Sequence, residues 1–302
     1  MELSIKDFDF LDSFEHLGSH TLDEHCKNKL DLFVLRINAN EFDYSSLKNN
    51  LIDPMIDFSL SRKVREKYSE KPGTLAAKAR EKFVEYINNK GELGELLLYC
   101  FLETHLKAPK LLSKLELKTS TSHYVNGSDG VHFLRLNNGG YQLIFGESKT
   151  IAGLTAAITD AFKSIHEFKN CVNSKGSKKS GLPYEKGLLS DHLEKETFSS
   201  EQREFIEKII YPSRQNNFDV DDAFGVFVGY ETNVCEEYKS LSNKEFREKI
   251  KDQINKEIKL SFQHILKKIN EFNLNGHNFY IYILPFTDLD KNRRILQEGI
   301  ST

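Results

Sequence analysis

The sequence predicts an α/β fold with the element order αβββαβ around a mixed sheet. Three features carry that expectation: a β-hairpin signal over 129–149, a strongly apolar helix ahead of it and a helix with a small-residue face behind it. Gly130 to Leu136 and Tyr141 to Phe145 are apolar-rich and β-prone, and the residues between them, Asn137-Asn138-Gly139-Gly140, tolerate positive φ. A tight turn there folds one run back on the other.

The remaining elements follow in chain order. Leu30 to Ile37 is β-prone and adds a strand to an N-terminal elaboration over 1–85, while Glu41 to Tyr68 reads as mostly helical with a break or kink at Pro54. Lys71-Pro72-Gly73 marks a plausible boundary before the helix that leads to Gly91. The core, 86–302, then opens with a helix over about 92–106, where Leu93, Leu96, Leu97, Cys100 and Phe101 repeat at the spacing of a buried face. Strands are expected at 115–121, 129–136 and 141–149. The helix over 152–169 carries Ala152, Gly153, Ala156, Ala157 and Ala161, small enough to lie close on a sheet. Residues 171–222 form a polar insertion with one amphipathic segment, Ser200 to Ile210. A strand at Ala223–Tyr230, a helix over Asn243–Phe272 with an isoleucine-rich stripe, and a strand at Phe279–Leu284 complete the chain.

The hairpin also brings charged residues together. A three-residue loop over Asn137 to Gly139 sets Leu136 opposite Gly140, so facing residues have numbers adding to 276, as do those of Asp129 and Glu147. A turn centred half a residue or one residue away shifts the pairing but keeps both carboxylates at the same end. Glu147 and Lys149, two apart on a strand, leave the same face, beside the small Gly146 and Ser148. Adjacent acids repel unless a cation sits between them, and hard divalent ions bind through one or two carboxylates plus water and substrate phosphate. That chemistry is metal-assisted phosphodiester hydrolysis, with Lys149 placed to orient water or offset charge on phosphate oxygens.

Asp129 followed by Glu147-Ser148-Lys149 resembles the D…ExK signature of PD-(D/E)XK nucleases, the restriction-endonuclease-like superfamily. That superfamily has the αβββαβ order and places a Glu in the helix before its first strand, aimed at the metal. Glu95, an acid among core positions, is the choice; Glu92 sits at the helix start, where an acid simply suits the dipole. More narrowly, GELGELLLYCFLE, SDGVH, GESK and FYIYILPF together resemble the DUF1837 family, whose best-known member is the HamA nuclease subunit of the bacterial Hachiman antiphage system. The resemblance covers most of the chain. It implies Asp129, Glu147 and the Ser148 carbonyl as ligands of Mg²⁺ (or Mn²⁺), catalysis by Glu95, Asp129, Glu147 and Lys149, and a DNA-degrading effector regulated by HamB, a superfamily 2 helicase. The competing functions are a non-catalytic DNA-binding or scaffold subunit of a helicase complex and a site-specific restriction-type endonuclease.

Bulk composition narrows the class. Net charge is −3, from 42 Lys+Arg against 45 Asp+Glu, so DNA contact requires localised positive charge. The loop from Lys169 to Lys186, with Lys175, Lys178 and Lys179 facing only Glu185, reads either as a phosphate-gripping arm or as a solvated insertion. Arg62, Lys63, Arg65 and Lys67 read as a solvated helix face. Four scattered cysteines (Cys26, Cys100, Cys171, Cys235) suit free thiols in a reducing cytoplasm. No apolar run is long enough to span a bilayer, and the start of the chain has no signal-peptide pattern, so a cytoplasmic protein is expected. No GKS or GKT follows a glycine-rich loop and no GxSxG occurs, which argues against ATP hydrolysis and acyl transfer. His132 and His123 are read as structural or surface residues.

Overall fold

The structure, a computed structural model, describes residues 2–6, 9–25, 27–84, 91–113, 115, 127–172, 176, 181–196, 199–213 and 218–301. The N-terminal segment supplies α1 (Asp9–Asp12), β1 (Phe14–Thr21), β2 (Asn28–Leu35), the short β3 (Ile37–Asn38) and β4 (Glu41–Phe42), and helices α2 (Tyr44–Asn50), α3 (Ile52–Ser59), α4 (Arg62–Lys67) and α5 (Pro72–Val84). Next come α6 (Glu92–Thr104), β5 (Lys110–Ser113), β6 (Gly130–Arg135), β7 (Tyr141–Thr150) and α7 (Leu154–Lys169). The chain continues through α8 (Leu182–Glu196), α9 (Ser200–Ile210), β8 (Val220–Glu231), α10 (Glu236–Lys239), α11 (Asn243–Glu271), β9 (Phe279–Phe286) and α12 (Leu289–Ser301).

One seven-stranded mixed sheet runs in the order β1-β2-β9-β8-β7-β6-β5. β2, β9, β8 and β7 are parallel neighbours, and the antiparallel pairs lie at the two ends. The parallel strands are buried on both faces, which is why β9 reads FYIYILPF, apolar without alternation and buried at every position. The run α6-β5-β6-β7-α7 followed by β8 realises the expected αβββαβ order.

Two helical layers cover the sheet. On one face α6 crosses diagonally from β7 to β2: Leu98 sits over Gly146, Leu102 over Gly225, and the Phe101 ring stacks on Tyr282 at 4.9 Å and lies 4.7 Å from Phe33. The approach is close because the contact positions lack side chains; a Cβ on Gly94 would lie 2.9 Å from Thr150 Oγ1. On the other face α7 packs through Phe168 on Phe145 and Phe162 on Phe279, and α11 covers α7.

Several expectations shift. The strand expected at 115–121 lies at Lys110–Ser113, where Ser113 pairs with Gly130, Leu111 and Leu112 are buried, and the Lys110 amide donates to Glu103 at 2.6 Å; residues 116–121 and His123 lie outside the described residues. The loop expected from Lys169 to Lys186 is helical at both ends. Lys169 closes α7 with its amine on the Asn273 carbonyl, and Lys186, inside α8, pairs with Asp222 at 2.8 Å. Lys175, Lys178 and Lys179 lie outside the described residues. Arg62 is not a solvated residue: it is buried, 3.4 Å from the buried Glu196, because α8 lies against α4. No helix of the described residues is long and apolar enough to cross a membrane.

Candidate active site

The hairpin forms in the expected register. The Leu136 amide donates to the Gly140 carbonyl at 2.8 Å, Gly139 takes φ of 89°, and Val131 faces Phe145, so the numbers of paired residues add to 276. A left-handed residue at the turn requires glycine, and the sequence supplies it.

At the far end of the hairpin the ladder slips. The Asp129 amide donates to the Gly146 carbonyl, and the Asp129 side chain reaches β7, where Oδ2 accepts from the Ser148 amide at 2.7 Å and the Ser148 hydroxyl at 2.9 Å. A carboxylate therefore stands where the next ladder carbonyl would have been. Two donors on one oxygen fix the orientation of the carboxyl and compensate part of its charge at a position only 9% exposed.

Gly146, Ser148 and Thr150 face α6, as the contacts of Gly94 and Leu98 show, and Phe145 faces α7. Strand alternation puts Glu147 and Lys149 on the α7 side, where they form an ion pair with each other. On the α6 side Glu95 and Asp129 line a cavity of about 10 Å³ with Tyr99, Lys110, His132 and Gly146. That is room for roughly one water molecule. Glu92, read from the sequence as a dipole-favouring residue, is buried as fully as Glu95, and it is Glu95 that borders the cavity.

The sequence-predicted residues thus gather at one end of β6 and β7 from three directions: Asp129 between the strands, Glu95 from the helix, Glu147 and Lys149 from the opposite face. They do not close on one point, since Glu95, Asp129 and Glu147 are not within 4.8 Å of one another as a set. Carboxylate oxygens, a backbone carbonyl and a one-water space are the donors that Mg²⁺ accepts, so the residue types suit such an ion while the observed side chains are turned to protein partners.

Two surrounding residues, Lys110 and Glu185, had no role assigned from the sequence. Lys110 is buried and donates from Nζ to the Asp57 carbonyl at 2.9 Å, its ammonium 5.8 Å from the Tyr99 ring centre. Glu185, on α8, accepts from the Ser128 hydroxyl at 2.7 Å and lies so close to Gly127 that a Cβ there would meet its carboxylate at 2.2 Å. It anchors the insertion to the segment entering Asp129, and its one signal was being the lone acid in a lysine-rich run. His132, expected to be a structural or surface residue, is buried: it donates from Nδ1 to the Ala108 carbonyl at 2.8 Å, and burial pushes its pKa down to about 4.

A family model described as HamA matches residues 9–300, nearly the whole chain. No curated protein matches it.

Proposed function

Because the chain belongs to the HamA family, the nuclease subunit of the Hachiman antiphage system, we propose that it is a metal-dependent DNA endonuclease whose hydrolysis of phosphodiester bonds is regulated by the helicase partner HamB. The observation that supports this reading best is the hairpin end, where Asp129 is locked to Ser148 beside the Glu147–Lys149 pair and across a small cavity from Glu95. Asp129, Glu147 and the Ser148 carbonyl would hold the ion, Mg²⁺ or Mn²⁺. An ion held there would supply Lewis-acid polarisation of a phosphate oxygen and a more acidic water at neutral pH.

The protein's own groups do the rest. Asp129 keeps one orientation through its two Ser148 hydrogen bonds, and sharing an ion with Glu147 would require side-chain movement, because Glu147 leaves β7 on the α7 side. Lys149 offers an ammonium that can turn from Glu147 to a phosphate oxygen or to the attacking water, and a fixed cation at that place stabilises the charge that builds there. Glu95 lines the cavity from α6. Lys169, Lys175, Lys178 and Lys179 are the proposed contacts to the DNA backbone.

The test uses the chain together with its helicase partner, plasmid DNA and Mg²⁺. Cleavage is expected in the wild type and to fall by roughly 10²-fold or more with Glu147→Gln or Lys149→Ala, with DNA binding retained. Cleavage undiminished in both variants overturns the assignment. DNA binding and phage protection that survive both substitutions would instead support the non-catalytic scaffold.

A further inference from the structure

We propose that His16, Asp31 and His105 form a binding site for one zinc-type transition-metal ion, at the end of α6 remote from Glu95. His16 Nε2 lies 3.0 Å from Asp31 Oδ1 and His105 Nε2 lies 3.9 Å from the same oxygen. All three ligand atoms fall within 4.8 Å of one another, and among the described residues no other set of three His, Cys, Asp or Glu side chains does. A tetrahedral ion with bonds of about 2.0–2.1 Å holds its ligand atoms roughly 3.3 Å apart, so small side-chain shifts close the site. Two imidazoles and one carboxylate select a borderline ion of this kind over Mg²⁺.

The surrounding structure aims these groups. A bulge in β1 shifts its register between His16 and Gly18, so that His16 lies opposite Phe33 and Ser19 opposite Asp31. Phe33 and Asp31 share a face of β2, and the bulge therefore turns both His16 and Ser19 onto the Asp31 side. The Ser19 hydroxyl donates to Asp31 Oδ1, and the His16 ring stacks on Phe33 at 4.5 Å. His105 is the C-cap of α6, and its Nδ1 lies 3.2 Å from the hydroxyl of the buried Tyr282. A partner on the outer nitrogen is the arrangement that fixes the tautomer of a metal-bound histidine and presents the other nitrogen's lone pair to the ion. The carbonyl end of a helix also favours a cation. His16 keeps 36% of its side-chain surface exposed, which leaves an entry path and room for a water as the fourth ligand.

Such an ion would tie three elements together: the edge strand β1, the parallel strand β2 and the end of α6. From residue 95 to residue 105 α6 rises by about 15 Å, so this site and the proposed nuclease site share a helix but no ligand.

The experiment strips the full chain with a chelator, holds Mg²⁺ in excess, and titrates Zn²⁺ by calorimetry while recording Tm. One Zn²⁺ per chain and a raised Tm are expected. His16→Gln and His105→Gln should each weaken binding about tenfold or more and abolish the Tm rise, while Glu147→Gln leaves both unchanged. Co²⁺ in place of Zn²⁺ should give the visible absorption of a low-coordinate site, lost in His16→Gln. His16→Gln, at the exposed ligand, decides the matter even if His105→Gln does not fold. Zn²⁺ heat and Tm shift identical in wild type and His16→Gln, or none in the wild type, overturn the proposal and leave a hydrogen-bonded His–Asp–Ser cluster.

Discussion

His132 shows how a residue's chemistry is decided by neighbours that its local sequence does not name. Strand alternation pointed it away from Val131 and Phe133, which is true, but the face it enters is covered by α6, with Tyr99 5.9 Å away, so it is buried. Burial holds its pKa at about 4 against an ordinary 6.5. The folded protein thus resists a proton that the unfolded chain accepts. That contribution to stability is complete above about pH 6.5 and is lost as the pH falls towards 4, amounting to about 3 kcal/mol at most. His132→Gln keeps a donor for the Ala108 carbonyl and removes the titration. Urea midpoints of the variant should therefore fall less steeply than those of the wild type over this window; parallel slopes would show that other groups govern acid stability. The same logic separates what was legible at the proposed nuclease site. Asp129, Glu147 and Lys149 could be placed by register arithmetic because a hairpin is local. The Asp129–Ser148 hydrogen bonds could not, since they arise where the ladder departs from that register.

At the scale of elements, α6 is the member whose sequence said most and whose neighbours said least. Its apolar spacing predicted a buried helix, and all thirteen residues from Glu92 to Thr104 are buried. Glu103 is among them. Its carboxylate accepts from the amides of Ser4 and Lys110, both at 2.6 Å, and burial raises its pKa in spite of those donors. No pattern in the sequence links residues 4, 103 and 110. What does read out in retrospect is Gly94 in GELGELL, a helix-interior glycine that helix propensity disfavours. It is explained by β7: a Cβ at 94 would meet Thr150 Oγ1 at 2.9 Å and Ser148 Oγ at 3.3 Å. Gly94→Ala should gain helix propensity yet lose about 1–3 kcal/mol of stability through overpacking. It should also lower the proposed nuclease activity by lifting Glu95 from its cavity. Thr150→Ala in the same chain should recover most of the stability, and denaturant melts of the two singles and the double give the coupling. Additive losses would mean that the helix does not bear on the strand at this point.

For the whole molecule, the parallel pairing of β2 with β9 changes the meaning of the N-terminal elaboration. From the sequence, residues 1–85 could be set apart at Lys71-Pro72-Gly73 because composition and turn residues change there, and local signals reveal no more than that. Pairing between residues 28–32 and 279–283 spans nearly the full chain, and it puts β1 and β2 into the same sheet as the proposed nuclease hairpin. The β9 strand, buried at every position, has β8 on one side and β2 on the other. Without the first 85 residues it becomes an edge of eight apolar residues with unpaired backbone groups, a template for aggregation. The Phe33 and Phe14 rings against Phe101, the amides of Ser4 and Ile5 on Glu103, and Arg62 on Glu196 would be lost with it. Glu103 would keep the Lys110 amide but lose those of Ser4 and Ile5, and Glu196 would lose Arg62, each loss at a buried carboxylate costing on the order of 1–3 kcal/mol or more. A fragment beginning at residue 86 should therefore fail to give a monomeric, cooperatively melting protein, whereas the full chain should melt in one transition. Gel filtration and thermal circular dichroism of the two chains check this. A compact fragment with a sharp melt would mean that the nuclease-like core stands alone and that β1 and β2 are dispensable to it.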